Sequence, residues 1–157
     1  MQYSLVVDLD RCIGCFTCEL ACKQEHDLPV GPRWIRVIQD GPNPIPGGLQ
    51  LDFYPVVCKH CEDPKCAEAC PEEAISKRAD GTVTIDLALC TGCKNCIDGC
   101  PFGLMDFDEE TGKASKCDLC VERLKQGLEP SCVAFCPGKA LVFQKEMPKN
   151  RRLMKLV

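Results

Sequence analysis

Cysteine placement constrains this chain more than any other feature, because sixteen of its 157 residues are cysteines and they fall into four groups of four. The first and third groups share the spacing C-x2-C-x2-C-x3-C, while the middle gap grows to four residues in the second group and to eleven in the fourth. The groups are, in order, Cys12, Cys15, Cys18, Cys22; Cys58, Cys61, Cys66, Cys70; Cys90, Cys93, Cys96, Cys100; and Cys117, Cys120, Cys132, Cys136. Because the spacing recurs, the pattern indicates an internal repeat of binding sites.

Composition indicates how these cysteines are used. The 45% hydrophobic share of the sequence includes them, so the apolar core is small and cross-links must contribute to stability. The N-terminus has no basic leader followed by an apolar stretch, and no run reaches the 18 apolar residues of a membrane span. We therefore expect a cytoplasmic chain without a membrane span, in which the cysteines are thiolate ligands rather than disulfides.

The spacing itself favours iron-sulfur cubanes. Three thiolates at intervals of three residues can surround one inorganic cube, and a fourth, about one helical turn further on, projects toward a different place. This is the ferredoxin spacing in which the last cysteine binds the other cluster of a pair. Sixteen ligands at four per cube predict four 4Fe-4S clusters and leave no thiol over.

Two other readings account for the cysteines less well. Four-cysteine zinc sites use two C-x2-C pairs, and only the fourth group comes close to that arrangement. A secreted disulfide scaffold would need a leader peptide. The formal net charge of -4 disfavours nucleic acid, which requires a basic surface.

The order of the groups suggests which cysteines share a cube. The second and third groups are separated by a short stretch, so we expect them to pair, leaving the first group to pair with the fourth. The predicted sets are Cys58, Cys61, Cys66, Cys100; Cys70, Cys90, Cys93, Cys96; Cys12, Cys15, Cys18, Cys136; and Cys22, Cys117, Cys120, Cys132. Sequential pairing, first with second and third with fourth, stays open.

This pairing predicts an α+β fold of two ferredoxin-like dicluster modules nested in one compact domain. The outer module comprises residues 1–50 and 110–144, the inner module residues 51–109, and residues 145–157 form a C-terminal tail. Residue types predict short strands at 3–9, 51–57, 82–86 and 141–143, a helix over 118–126, and a proline-rich surface loop over 41–48.

Several residues near the cysteines have a structural and a functional interpretation. Two glycines, Gly14 and Gly92, suit a close approach of backbone to a cube, or an ordinary turn. His60 is expected to have a hydrogen-bonded structural role rather than to tune a cluster, and His26 carries no signal. Solvated surface positions are expected for the lysines beside the ligands, with an effect on cluster potentials as the alternative; these are Lys59, Lys65, Lys94 and Lys116.

Four segments carry a family resemblance that covers nearly all of residues 3–143. They are CKHCEDPKC at 58–66, CTGC at 90–93, KCDLC at 116–120 and CVAFCP at 132–137. In these the chain resembles the four-cluster electron-transfer subunits of dimethyl sulfoxide reductase-type molybdenum and tungsten enzymes. The resemblance implies the nested pairing and a role as a relay, with no catalytic site in this chain. Because all sixteen cysteines are present, no 3Fe-4S cluster is expected.

The resemblance also implies partners. They are a large tungsten- or molybdenum-pterin catalytic subunit and a second redox subunit. In size and layout the chain is similar to the small polyferredoxin subunit of tungsten aldehyde oxidoreductases, which passes electrons toward a flavin subunit, and this assignment is favoured over a membrane reductase. The alternatives are a free-standing polyferredoxin shuttle and a structural zinc module. End-to-end contacts between copies are a further hypothesis, because a row of clusters has two ends.

Overall fold

Four separate two-stranded antiparallel sheets and five short helices make up the computed structural model, which describes residues 3–144. The strands are β1 Ser4–Val7, β2 Ile35–Ile45, β3 Gly48–Val57, β4 Ile75–Lys77, β5 Val83–Ile85, β6 Asp106–Asp108, β7 Lys113–Ser115 and β8 Leu141–Gln144. The helices are α1 Thr17–Glu25, α2 Lys65–Glu68, α3 Asn95–Asp98, α4 Val121–Lys125 and α5 Ser131–Ala134. Short antiparallel strands with few helices confirm the predicted α+β class.

Pairing of β1 with β8 joins the two ends of the described chain. The register places Ser4 opposite Gln144 and Val7 opposite Leu141, and the rings of Tyr3 and Phe143 lie 5.2 Å apart. Helices α1 and α5 also pack against each other. The first and fourth cysteine groups are thereby neighbours in space, although more than 90 residues separate them in the sequence.

The β2–β3 hairpin corrects the prediction of a loop over residues 41–48. Strand β2 continues to Ile45, and a register shift between Asp40 and Asn43 marks an irregularity within the ladder. The prolines are tolerated because each strand of a two-stranded sheet is an edge strand, on which a missing N–H can face solvent. The segment is nevertheless exposed, as the sequence suggested.

Each helix carries or adjoins cysteines of the four groups. In α1, Cys18 and Cys22 are one turn apart, and single-turn helices hold Cys66, Cys96 and Cys132. The predicted helix over 118–126 is shorter than expected, because Leu119 and Cys120 adopt left-handed backbone conformations (φ 59° and 53°) and α4 begins only at Val121.

The buried side chains form two clusters, and cysteines belong to both. Five of the thirteen buried residues in the larger cluster are cysteines, and strands β1, β2, β3 and β8 supply much of the rest. The smaller cluster comprises Ile75, Val83, Cys96, Met105 and Ala114. Cysteine side chains therefore occupy places that larger apolar residues would fill in another protein.

The predicted C-terminal tail and the predicted lack of a membrane span can be compared with the structure only within residues 3–144. The expected C-terminal tail, residues 145–157, lies outside the described residues. Among residues 3–144, none of the helices has the length and apolar character needed to span a bilayer.

Candidate metal centres

Three cysteines of the first group share a cavity with one cysteine of the fourth. Apolar residues such as Val37 and Leu141 complete the wall of this cavity. Its cysteines are Cys12, Cys15, Cys18 and Cys136. The antiparallel contact of β1 with β8 and the packing of α1 on α5 bring these distant residues together.

Two further cavities combine the second and third groups in the same three-plus-one manner. One is lined by Cys58, Cys61, Cys66 and Cys100. The other is lined by Cys70, Cys90, Cys93 and Cys96. Helices α2 and α3 pack against each other between them, so each group contributes its last cysteine to the partner's cavity.

The remaining four cysteines are neighbours that influence one another electrostatically. Burial raises the pKa of the Cys22 thiol, and the adjacent thiols of Cys117 and Cys120 raise it further. Burial likewise raises the pKa of Cys132, and the neighbouring Cys120 and Cys22 raise it further. The set is therefore Cys22, Cys117, Cys120 and Cys132.

Burial opposes thiolate formation at half of the sixteen cysteines. It raises the pKa of Cys18 to about 12 and those of Cys96 and Cys120 to about 11. A coordinated metal deprotonates a thiol outright, which removes this opposition. Clustered, buried thiols that resist ionisation by themselves are thus suited to a bound metal cluster rather than to nucleophilic chemistry in solvent.

Backbone N–H groups point at several cysteine sulfurs. Ala140 donates to Cys136 Sγ at 3.3 Å, Leu119 to Cys117 Sγ at 3.4 Å, and Leu104 to Cys100 Sγ at 3.5 Å. Such hydrogen bonds stabilise negative charge on sulfur and are one of the ways a protein adjusts a cluster's potential.

The ligand-loop glycines are explained by packing within the protein. Both have positive φ, 63° at Gly14 and 76° at Gly92. A Cβ on Gly14 would collide with the ring of Phe53, and one on Gly92 with the carbonyl oxygen of Gly112. The described contacts therefore favour the turn interpretation, with close packing as the added reason, over contact with a cube.

We expect Gly92→Ala to destabilise the protein more than Gly127→Ala. Gly127 has nearly the same φ, 74°, but a Cβ added there would have nothing within 4 Å. Left-handed strain alone costs about 1–2 kcal/mol, and the collision with the Gly112 backbone adds roughly 1–3 kcal/mol. Anaerobic thermal unfolding of the two variants measures the difference; equal midpoints would contradict the packing explanation.

His60 supplies a test of whether a cluster fits its cavity. Its ring is 2% exposed and lines the cavity of the second cysteine group. Nδ1 accepts the Val83 N–H at 3.0 Å, so Nε2 carries the proton, yet Nε2 is buried without a hydrogen-bond partner. Burial, reinforced by the Lys116 charge, lowers the pKa of His60 to about 3, so the ring is neutral. A cluster's sulfur atoms are acceptors of the kind this N–H lacks, and the expected structural hydrogen bond is present as well.

His26 makes a contact with Cys120 that the sequence did not predict. Its Nε2 lies 3.2 Å from Cys120 Sγ and 3.7 Å from an Asp118 carboxylate oxygen, and its ring packs against Trp34 in a tilted arrangement with centroids 4.4 Å apart. Trp34 in turn donates a hydrogen bond to the Ser115 hydroxyl. No sequence signal could have revealed this, because 94 residues separate His26 from Cys120.

The prediction of solvated lysines is wrong at one position. Lys65 and Lys94 are about half exposed, at 53% and 51%, and form ion pairs with nearby carboxylates. Lys59 lies over the ring of Phe102 at 3.5 Å. Lys116, by contrast, is 3% exposed, because strand β7 directs the chain inward just before Cys117.

Comparison with known families turns this geometry into an assignment. The profile of the 4Fe-4S dicluster domain matches residues 49–146, more than half of the chain. The chain belongs to the 4Fe-4S dicluster domain family. A second profile, the 4Fe-4S binding domain, matches residues 9–25 of this dicluster protein and so covers the first cysteine group.

The curated relatives include polypeptides of three reductases. An anaerobic dimethyl sulfoxide reductase polypeptide of Escherichia coli is 39% identical over 90% of the dicluster protein and 73% of its own length. A tetrathionate reductase subunit of Salmonella typhimurium is 36% identical over 57% of its length, and the thiosulfate reductase electron transfer subunit of Salmonella typhi is 38% identical over 75%. The dicluster protein thus spans between about half and three quarters of these relatives.

These comparisons confirm the predicted resemblance and cofactor. The chain is an iron-sulfur electron-transfer subunit, not a catalytic one, and it binds 4Fe-4S clusters. The neutral, unpartnered His60 N–H and the clustered cysteine sets described above fit that cofactor.

Proposed function

We propose that this chain relays single electrons through four 4Fe-4S clusters. The electrons pass between a pterin-bound molybdenum or tungsten catalytic subunit and a second redox partner. The observation that carries the proposal is the assembly of sixteen cysteines into four sets, each with three members from one group and one from its partner group. The names of the curated relatives, which are subunits of reductases, support the same role.

We assign the clusters to four sites. Site A comprises Cys12, Cys15, Cys18 and Cys136; site B comprises Cys22, Cys117, Cys120 and Cys132; site C comprises Cys58, Cys61, Cys66 and Cys100; and site D comprises Cys70, Cys90, Cys93 and Cys96. The shared cavities support A, C and D, and the mutual influence of the thiols supports B. The same grouping supports an outer module of residues 1–50 and 110–144 and an inner module of residues 51–109.

Contacts between the sites suggest their order. The charge of Cys18 in site A raises the pKa values of Cys22 and Cys132 in site B. The charge of Cys58 in site C likewise raises the pKa of Cys117 in site B. Packing of α2 on α3 joins sites C and D. The proposed row is therefore A, B, C, D.

Exposure of the cysteines supports entry and exit at the ends of that row. Cys15 and Cys93 are the exposed cysteines among residues 3–144, and they belong to the end sites A and D. The cysteines of site B are all buried, and those of site C are half-buried. An electron arriving at one end would reach the other by way of sites that solvent and competing partners reach poorly.

The chain's own residues provide placement and tuning. Bound cubes supply one-electron chemistry with little structural change. The backbone N–H groups of Leu104, Leu119 and Ala140 stabilise charge on the sulfurs, and burial of the ligands limits exchange with solvent. No substrate pocket is needed for this role.

The finer assignment, an aldehyde oxidoreductase with a flavin subunit as acceptor in the cytoplasm, rests on the sequence resemblance. The curated relatives belong to sulfoxide, tetrathionate and thiosulfate reductases. The competing hypothesis is therefore that the catalytic partner is a terminal reductase. A free-standing shuttle remains the alternative without an obligate complex.

Anaerobic purification of the tagged chain from its native host distinguishes these possibilities. We expect a much larger polypeptide to copurify in fixed ratio, carrying molybdenum or tungsten detected by elemental analysis. A copurifying flavin and aldehyde-dependent reduction of the clusters would support the finer assignment, and sulfoxide- or thiosulfate-dependent reoxidation would support the competitor. A chain that purifies alone and is monodisperse at all concentrations would contradict both the obligate complex and the end-to-end contacts.

A further inference from the structure

Four polar residues are buried within residues 3–144, and of these Lys116 carries a formal charge. The other three are His60, Thr82 and Ser131. Lys116 Nζ donates hydrogen bonds to the Val83 carbonyl oxygen and, at 2.6 Å, to that of Cys117. None of the ion pairs formed within the described range includes it, so no carboxylate within 4.0 Å balances its charge.

Its two hydrogen bonds place the ammonium group between two cluster sites, because Cys117 belongs to site B and Val83 lines the cavity of site C. Burial raises the pKa values of the Cys58 and Cys66 thiols of site C, and the Lys116 charge acts in the opposite direction on both. On Cys117 of site B, burial and the neighbouring Cys58 raise the pKa, and Lys116 again opposes them. One cation thus interacts with thiols of both interior sites.

A buried charge is costly unless an opposite charge or several hydrogen bonds compensate it. Two backbone carbonyls supply only dipoles, and the neutral His60 ring supplies no anion. Four thiolates and an oxidised 4Fe-4S core together carry a net charge of about -2, and one added electron makes it about -3. Clusters on both sides would provide the anions that Lys116 otherwise lacks, and each would gain more from it once reduced.

We propose that Lys116 is a fixed cation shared by sites B and C, which makes these two clusters easier to reduce than they would be without it. This inference rests on the proposed assignment of clusters to sites. Through this effect Lys116 favours an electron on the two middle clusters of the row. Because these belong to different modules, Lys116 couples the outer module to the inner one. The Val83 peptide groups hold the arrangement, since the Val83 N–H binds His60 and its carbonyl binds Lys116.

Charge and hydrogen bonding can be separated by three variants. Lys116→Met removes both, Lys116→Gln keeps an amide donor without the charge, and Lys116→Arg keeps the charge. The matched control is Lys94→Met, since Lys94 also adjoins a ligand cysteine but is half exposed and pairs with Glu109. The full chain is purified anaerobically, its iron is counted, and the clusters are titrated potentiometrically with detection by electron paramagnetic resonance.

We expect Lys116→Met and Lys116→Gln to lower the equilibrium constant for reduction at least tenfold at two of the four clusters, a shift of about 59 mV for a one-electron couple. Lys116→Arg and Lys94→Met should leave the four transitions close to their wild-type positions. If Lys116→Met fails to assemble, Lys116→Gln carries the same comparison.

Unchanged potentials in a variant with full iron content would overturn the proposal, and so would a shift spread evenly over all four clusters or an equal shift in Lys94→Met. Failure of the underlying cluster assignment would look different, because wild-type protein itself would then lack four resolvable transitions. The two ideas can therefore fail separately.

Discussion

Removal of iron from the purified chain will unfold residues 3–144. The larger buried cluster is built in good part from ligand cysteines, namely Cys18, Cys22, Cys117, Cys132 and Cys136. The elements around it cannot stand alone: in the part of the chain that the structure describes, every sheet has two strands and the longest helix has nine residues. Two-stranded hairpins and helices of this length are marginal in water. Without clusters, the remaining apolar contacts are too few to offset the conformational entropy of the chain.

Circular dichroism before and after oxidative chelation measures this effect. We expect loss of most of the ordered signal once iron falls below about one atom per chain, and its return on anaerobic reconstitution with iron and sulfide. The control is chelator without oxidant, which removes zinc from an ordinary zinc site but leaves intact cubes in place. A signal that survives the loss of iron would show that the protein fold is stable by itself.

Alanine variants of two neighbouring cysteines will affect different clusters. Cys132 lies within the single-turn helix α5 and Cys136 follows it four residues later; both are buried, but they are assigned to sites B and A. Cys15 of site A lies more than 100 residues away in the sequence. If the nested pairing is right, Cys15 and Cys136 act on one cluster, and Cys132 acts on another.

Iron counts of double variants make the test quantitative. We expect Cys15→Ala/Cys136→Ala to lose about four iron atoms, the same as either single variant, because both changes fall on one cube. Cys15→Ala/Cys132→Ala should lose about eight. The disappearance of individual transitions in a redox titration provides a second readout. Equal losses in the two double variants would favour sequential pairing of the cysteine groups.

Ligand spacing predicted the chemistry well, because it records local geometry that three thiolates need around one cube. The same spacing also predicted that the fourth cysteine points elsewhere; in α1, Cys18 and Cys22 lie one turn apart and reach different sets. The strands at both ends of the chain were predicted from their β-branched and aromatic residues, and β1 and β8 are where they were expected.

Features that depend on the partner of a segment could not be predicted in this way. Prolines argued against a strand over residues 41–48, but the hairpin has no central strand and so accommodates them. A lysine beside a ligand looks the same in sequence whether it is half exposed, as Lys94 is, or buried, as Lys116 is. The approach of His26 to Cys120 likewise depends on tertiary packing between distant segments.

The most direct test of the whole account is the metal content of the intact chain. Iron, acid-labile sulfide and zinc are to be measured on anaerobically purified protein, with the protein concentration fixed by quantitative amino-acid analysis. Four cubes predict about sixteen iron and sixteen sulfide per chain with negligible zinc. Fewer than about twelve iron atoms in well-folded protein, or zinc in their place, would contradict the account.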